Sequence, residues 1–108
     1  MARVLALVAD LLLASRVEAP LAAAGHEVTV RGELGVDAAG FDAIVADLEL
    51  CDPAAVAAAG PPCLGFYSHL DIETRRRAED AGFDLVVPRS RMARELPDLL
   101  GRLLEPGG

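Results

Sequence analysis

No lysine occurs anywhere in the 108 residues, and all ten basic side chains are arginine, set against seventeen acids for a net charge of −7. Heavy use of Ala, Gly and Arg makes part of this compositional. Its chemical consequence stands all the same, because no side chain offers the compact ammonium that arginine's planar fork does not replace. The acidic balance argues against a surface that wraps a phosphate backbone, so nucleic acid is not an expected partner. Cysteine is scarce as well. Cys51 and Cys63 form neither a disulfide framework nor a metal-binding motif, and are expected to be buried or half-buried free thiols. His26, His69 and the two cysteines are spread too widely for a zinc site. No unbroken apolar run approaches the length of a membrane span. "LALVA" is followed at once by Asp10 and an amphipathic stretch, which makes it part of a strand, not a secretion signal. A cytoplasmic protein without membrane contact is the expectation. Dinucleotide, Walker, HExxH and CxxC motifs are all missing.

What is present is apolar and regularly punctuated. A hydrophobic fraction of 53% suffices for a packed core, and the length fits a single domain over residues 1–108. "RVLALVA" (Arg3–Ala9) has the length and continuity of a strand covered on both faces. Asp10 is a candidate N-cap for the Ala/Leu-rich helix that runs to Gly25, with Pro20 expected to kink or split it. "HEVTVRG" predicts a short, partly exposed second strand, and "GELGVDAAG" at most a turn or an abbreviated helix. "FDAIVADL" predicts a buried third strand, followed by a helix capped by Asp52, opened by Pro53 and stopped at Gly60. "PPCLGFYS" is a fourth strand and "DIETRRRAEDAG" a helix with Asp71 as a plausible cap. "FDLVVPRS" is a fifth strand, and "SRMARELPDLLGRLLE" a last helix bent by Pro97.

Strands alternating with helices imply an α/β fold, a five-stranded parallel sheet with helices on both faces. Right-handed crossovers and this unit size favour the flavodoxin-like order 2-1-3-4-5. The functional edge of such a sheet is the carboxyl end of its strands. Asp10, Asp47, Ser68 and Arg89 fall there.

From Arg3 to Leu104 the chain resembles the receiver domain of two-component response regulators. "FDAIVADL" places Asp47 at the phosphoacceptor position, and "AEDAGFDLVVPR" places Arg89 seven residues after Gly82, where receivers carry a lysine. The resemblance also implies an acidic pair for Mg²⁺ at the end of the first strand. Val8 and Ala9 stand there, with only Asp10 one place later. The Ser/Thr position at the end of the fourth strand is Ser68 or Tyr67. These departures describe a pseudo-receiver, a non-catalytic signalling or protein-interaction module independent of phosphorylation and needing no cofactor. Its partner, or a second copy in a homodimer, is expected on the face from Ile72 to Leu104. The competing reading is a phosphorylatable receiver, with Mg²⁺, in which Asp47 accepts phosphate and Arg89 or Ser68 assists.

Three further features compete with bland explanations. Ser68, His69 and Asp71 would suit an enzyme or small-ligand site at the sheet edge, whereas the simpler account has Ser68 or Asp71 capping a helix. Arg75–Arg77 fan around a helix among acids and suit a solvated, salt-bridged face. Arg89, Arg91 and Arg94 crowd the start of the last helix, against its dipole. They are expected to meet a partner, an acid at Asp10 or Asp47, or solvent. Arg89 or Arg16 closing an ion pair with Asp47 or Asp10 would lock the domain in one conformation.

Overall fold

The computed structural model describes residues 2–34, 38–68 and 72–105. Its single sheet contains β1 (Arg3–Leu7), β2 (Glu27–Arg31), β3 (Ala43–Asp47), β4 (Cys63–Tyr67) and β5 (Leu85–Pro88). All pairings are parallel and the order is β2-β1-β3-β4-β5, as the alternation of elements predicts. The helices are α1 (Leu11–Ala23), α2 (Pro53–Ala58), α3 (Ile72–Ala81) and α4 (Arg89–Leu103). No helix is long and apolar enough to cross a membrane among the described residues.

Strand side chains alternate between two cores. Val4, Ala6 and Val8, with Val45, Leu64 and Phe66, pack beneath α1 and α4. Leu5, Leu7, Ile44, Ala46 and Cys63 pack beneath α2 and α3. The central strands β1, β3 and β4 are therefore almost wholly buried, while the edge strands β2 and β5 are only partly covered. This burial on both faces is why their sequences read as continuous apolar runs. On α4, Met92, Leu96, Leu99, Leu100 and Leu103 form the inward stripe, spaced at helical period.

Two helices end by the same device. Gly25 donates to Ala22 and His26 to Leu21 at the end of α1, and Gly82 donates to Glu79 and Phe83 to Ala78 at the end of α3. Both glycines hold positive φ, 95° and 106°, which any side chain would resist. Asp52 caps α2 as expected, through the Ala54 amide at 3.3 Å.

Pro20 does not split α1. It falls in the last turn, where the missing N–H removes a single helical bond, and its carbonyl still accepts from Ala24. Pro97 likewise leaves α4 continuous. That helix starts at Arg89, directly after the strand, and not at Ser90. Between β2 and β3, residues 32–34 and 38–42 contain no helix; residues 35–37, the middle of the stretch expected to form a turn or an abbreviated helix, lie outside the described ones.

The amino-terminal edge of the sheet is tied by side chains. Asp42 accepts from the Arg3 amide at 2.8 Å and Asp84 from the Cys63 amide at 2.9 Å, while His26 Nδ1 accepts from Ala2 at 3.1 Å. Each closes a backbone donor where a neighbouring strand begins.

Gly65 lies mid-strand in β4 because Leu48, just past β3, covers it. A Cβ at that position would meet the Leu48 side chain at 2.8–2.9 Å. Leu48 is itself buried and has little room to yield. Gly65→Ala is expected to cost about 1–3 kcal/mol of stability, as overpacking does. Chemical denaturation checks this, and Leu48→Ala in the same chain should recover part of the loss.

Candidate functional site

The carboxyl ends of β1, β3, β4 and β5 meet at one edge, and two groups of polar residues form there. The first surrounds Asp47, the last residue of β3, which is half-buried opposite Phe66 of β4. Its Oδ1 accepts from the Glu49 amide at 3.0 Å, and its carbonyl accepts from the amides of Leu50 and Cys51. The side chain thus closes a local turn of the kind aspartate favours. Glu49 in turn accepts a hydrogen bond from Ser68 Oγ, which joins this loop to the end of β4. Tyr67, 4% exposed, is the last residue of the strand and packs into the core beneath α2 and α3, so Ser68 is the one that stands at the edge. Cys51 lies just beyond. Burial and then the Asp47 charge push its thiol up to about 11, as burial and Asp84 do for Cys63.

The second group frames a cleft of about 200 Å³ lined by Asp10, Leu12, Leu13, Arg16 and Arg89. Asp10 Oδ1 caps α1, accepting from the amides of Leu12 at 2.9 Å and Leu13 at 3.1 Å. Arg16 projects from the second turn of α1, and Arg89 opens α4. Leu11 and Leu12 are 88% and 77% exposed beside them, because the inward stripe of α1 begins only at Leu13.

Burial raises the Asp47 carboxyl above its ordinary value. The Glu49 amide bond and the Arg89 charge oppose that rise, whereas the charges of Glu49 and Asp10 add to it. Arg89 is therefore near enough to be felt, but no ion pair joins Arg89 or Arg16 to Asp47 or Asp10 among the described residues. Of the alternatives left open for these arginines, the locking pair is not made. Arg91 and Arg94 turn instead to Glu95 on their own helix, at 3.5 and 3.6 Å, and Arg75 pairs with Glu79 at 3.4 Å. These are exposed contacts of little energetic weight. His69 and Asp71 lie outside the described residues.

Comparison with solved structures identifies this architecture. The non-phosphorylated receiver domain of HemR from Leptospira biflexa superposes with a TM-score of 0.81 at 20% identity, over 100% of this chain and 98% of that one. A response regulator from Burkholderia multivorans is 26% identical over 100% and 99% of the two chains, with a TM-score of 0.67. The fold is that of a response-regulator receiver domain. The ChxR receiver domain of Chlamydia trachomatis is similar too, with a TM-score of 0.72 at 19% identity over 94% of both chains. No family model matches the sequence, and no curated protein does.

The Mg²⁺ that the receiver resemblance implies finds a poor donor set here. Val8 is 2% exposed and turned into the core beneath α1, Ala9 has no donor, and Asp10 is engaged as a helix cap. Among the described residues no three of His, Cys, Asp and Glu gather closely enough to hold an ion. Clustered oxygen ligands are what Mg²⁺ requires.

The raised carboxyl of Asp47 fixes the sign of a pH effect. Folding binds a proton there more readily than the unfolded chain does, so stability from this group is fullest in acid and falls as pH rises above 3.8 through the raised value. Asp47→Asn keeps an oxygen for the Glu49 amide and removes the charge. Its thermal midpoint should exceed that of the wild type at pH 7.5, with the difference closing below pH 3.8.

Proposed function

We propose that the chain is a receiver-type signalling module that acts through protein contact and does not depend on phosphorylation of Asp47. The observation that carries this reading is the fate of the residues around that aspartate. Val8 is a core residue and Asp10 a helix cap, so the end of β1 offers no acidic pair, and among the described residues no cluster stands ready to gather the cation that phosphoryl transfer relies on for charge neutralisation. Asp47 itself holds the turn after β3. Arg89, at the position where a receiver places lysine, makes no ion pair with it. On this reading the protein is not an enzyme, and its output is the occupancy of a surface.

We assign the contact to the face built by α3, β5 and α4, Ile72–Leu104, which the receiver resemblance favours. Ile72 is 69% exposed at the start of α3, and Leu85 and Val86 of the edge strand are only partly covered. A second copy of the chain is the first partner to test. Sedimentation of the wild type should show concentration-dependent association that Ile72→Asp abolishes.

Incubation with Mg²⁺ and acetyl phosphate tests the phosphorylation-independent reading. Intact-mass spectra of the wild type and Asp47→Asn should stay alike. A stable phosphoryl adduct on the wild type, missing from the variant, would restore the phosphoacceptor reading in its place.

A further inference from the structure

Five of the other arginines find an acceptor or a charge partner. Arg3 donates to the Gly40 carbonyl and stacks on Phe41, Arg31 donates to the Val30 carbonyl, and Arg75, Arg91 and Arg94 pair with glutamates. Arg89 Nε is buried yet has no hydrogen-bond partner among the described residues. A buried donor left unpaired carries a desolvation cost. Arg89 is also the first residue of α4, a helix with no side-chain cap and no acid in its first turn. The unanswered amide ends and the guanidinium therefore place positive charge on positive charge.

Arg16 shares the lining of the cleft with Arg89 and is exposed, likewise without a hydrogen bond or ion pair among the described residues. The lining holds two guanidinium groups and one carboxylate, so its balance is positive in a chain of net charge −7. Asp10 does not neutralise the arginines, since its Oδ1 serves the two α1 amides and it pairs with neither of them. The cleft, about 200 Å³, falls below the roughly 300–1,000 Å³ typical of sites for drug-sized ligands. It has room for a small anion with its water.

We propose that the Asp10–Arg16–Arg89 cleft binds a small phosphate-type oxyanion, as inorganic phosphate or as the head of a phosphate monoester. Two planar forks approaching from α1 and α4 suit a tetrahedral anion with several free oxygens, whereas a carboxylate would be satisfied by one fork. The anion answers the guanidinium of Arg89 that lines the cleft and supplies the negative charge missing from the start of α4. Leu12, standing exposed at the rim, gives the carbon end of a monoester an apolar surface. The site goes beyond the interaction role proposed above and does not depend on it, since Asp47 is not part of its lining.

The test is an NMR titration of the isotope-labelled full chain at constant ionic strength, reading the arginine Nε–Hε signals. Inorganic phosphate is the first probe and phenyl phosphate the second. Saturable shifts of the Arg16 and Arg89 signals are expected, weakened about tenfold or more in Arg16→Gln and in Arg89→Gln. Arg91→Gln, on the Glu95-paired side of α4, should bind as the wild type does. Asp10→Asn keeps a capping oxygen while removing the opposing charge, and should tighten binding severalfold. Tighter binding of phenyl phosphate names a monoester as the ligand, and equal or weaker binding names phosphate itself. Shifts that never saturate overturn the proposal, as does saturation that survives loss of both arginines. Binding abolished by Asp47→Asn would place the anion at Asp47 and overturn it equally.

Discussion

Burial of β1, β3 and β4 on both faces is the constraint from which the rest of the molecule follows. Each of these strands feeds alternate side chains to two separate cores, so a polar side chain within them would be stranded without water on either side. Indeed no polar or charged residue is buried among those described. Polarity returns only where the covering layers stop, at Asp10, Asp47, Ser68 and Arg89. The parallel sense of the strands brings those stopping points to a single edge. Polar side chains gather there because the two cores leave them no place within the central strands.

At that edge two neighbouring groups differ in how completely they satisfy themselves. Asp47, Glu49 and Ser68 form a closed chain of donors and acceptors that stitches the loop after β3 to the end of β4. Asp10, Arg16 and Arg89 form an open one, in which the cap is satisfied and the two cations are not. Arg89 stands between them, felt by Asp47 through space and bonded to neither group. The first arrangement resembles a structural joint and the second a receptor.

Apolar continuity made the strands legible, and Asp or Gly at their borders made the helices legible, because both signals arise from local backbone requirements. The order of the sheet followed from crossover handedness without any knowledge of contacts. Position within a helix decided the effect of Pro20, and only the observed end at Ala23 shows that the ring costs one terminal bond. The choice between Tyr67 and Ser68 depended on where β4 leaves the sheet, a boundary that a phenol in an apolar run does not mark. Side-chain reach was illegible altogether. The Ser68–Glu49 bond spans nineteen residues, and the separation of Arg89 from Asp47 depends on α4 starting immediately after β5. The repeated "GFD" before β3 and β5 carried a readable signal that periodicity overlooks, since each Asp closes the first donor of a neighbouring strand.

Leu48 resting on the bare backbone of Gly65 gives the edge a mechanical character. The leucine acts as a peg, seated in the core beneath α2 and α3, and the Glu49–Ser68 bond acts as a tie one residue further out. Peg and tie both run from the loop after β3 to β4. The loop that Asp47 opens is therefore fastened to the end of β4 at two successive residues, one inside the core and one at its surface.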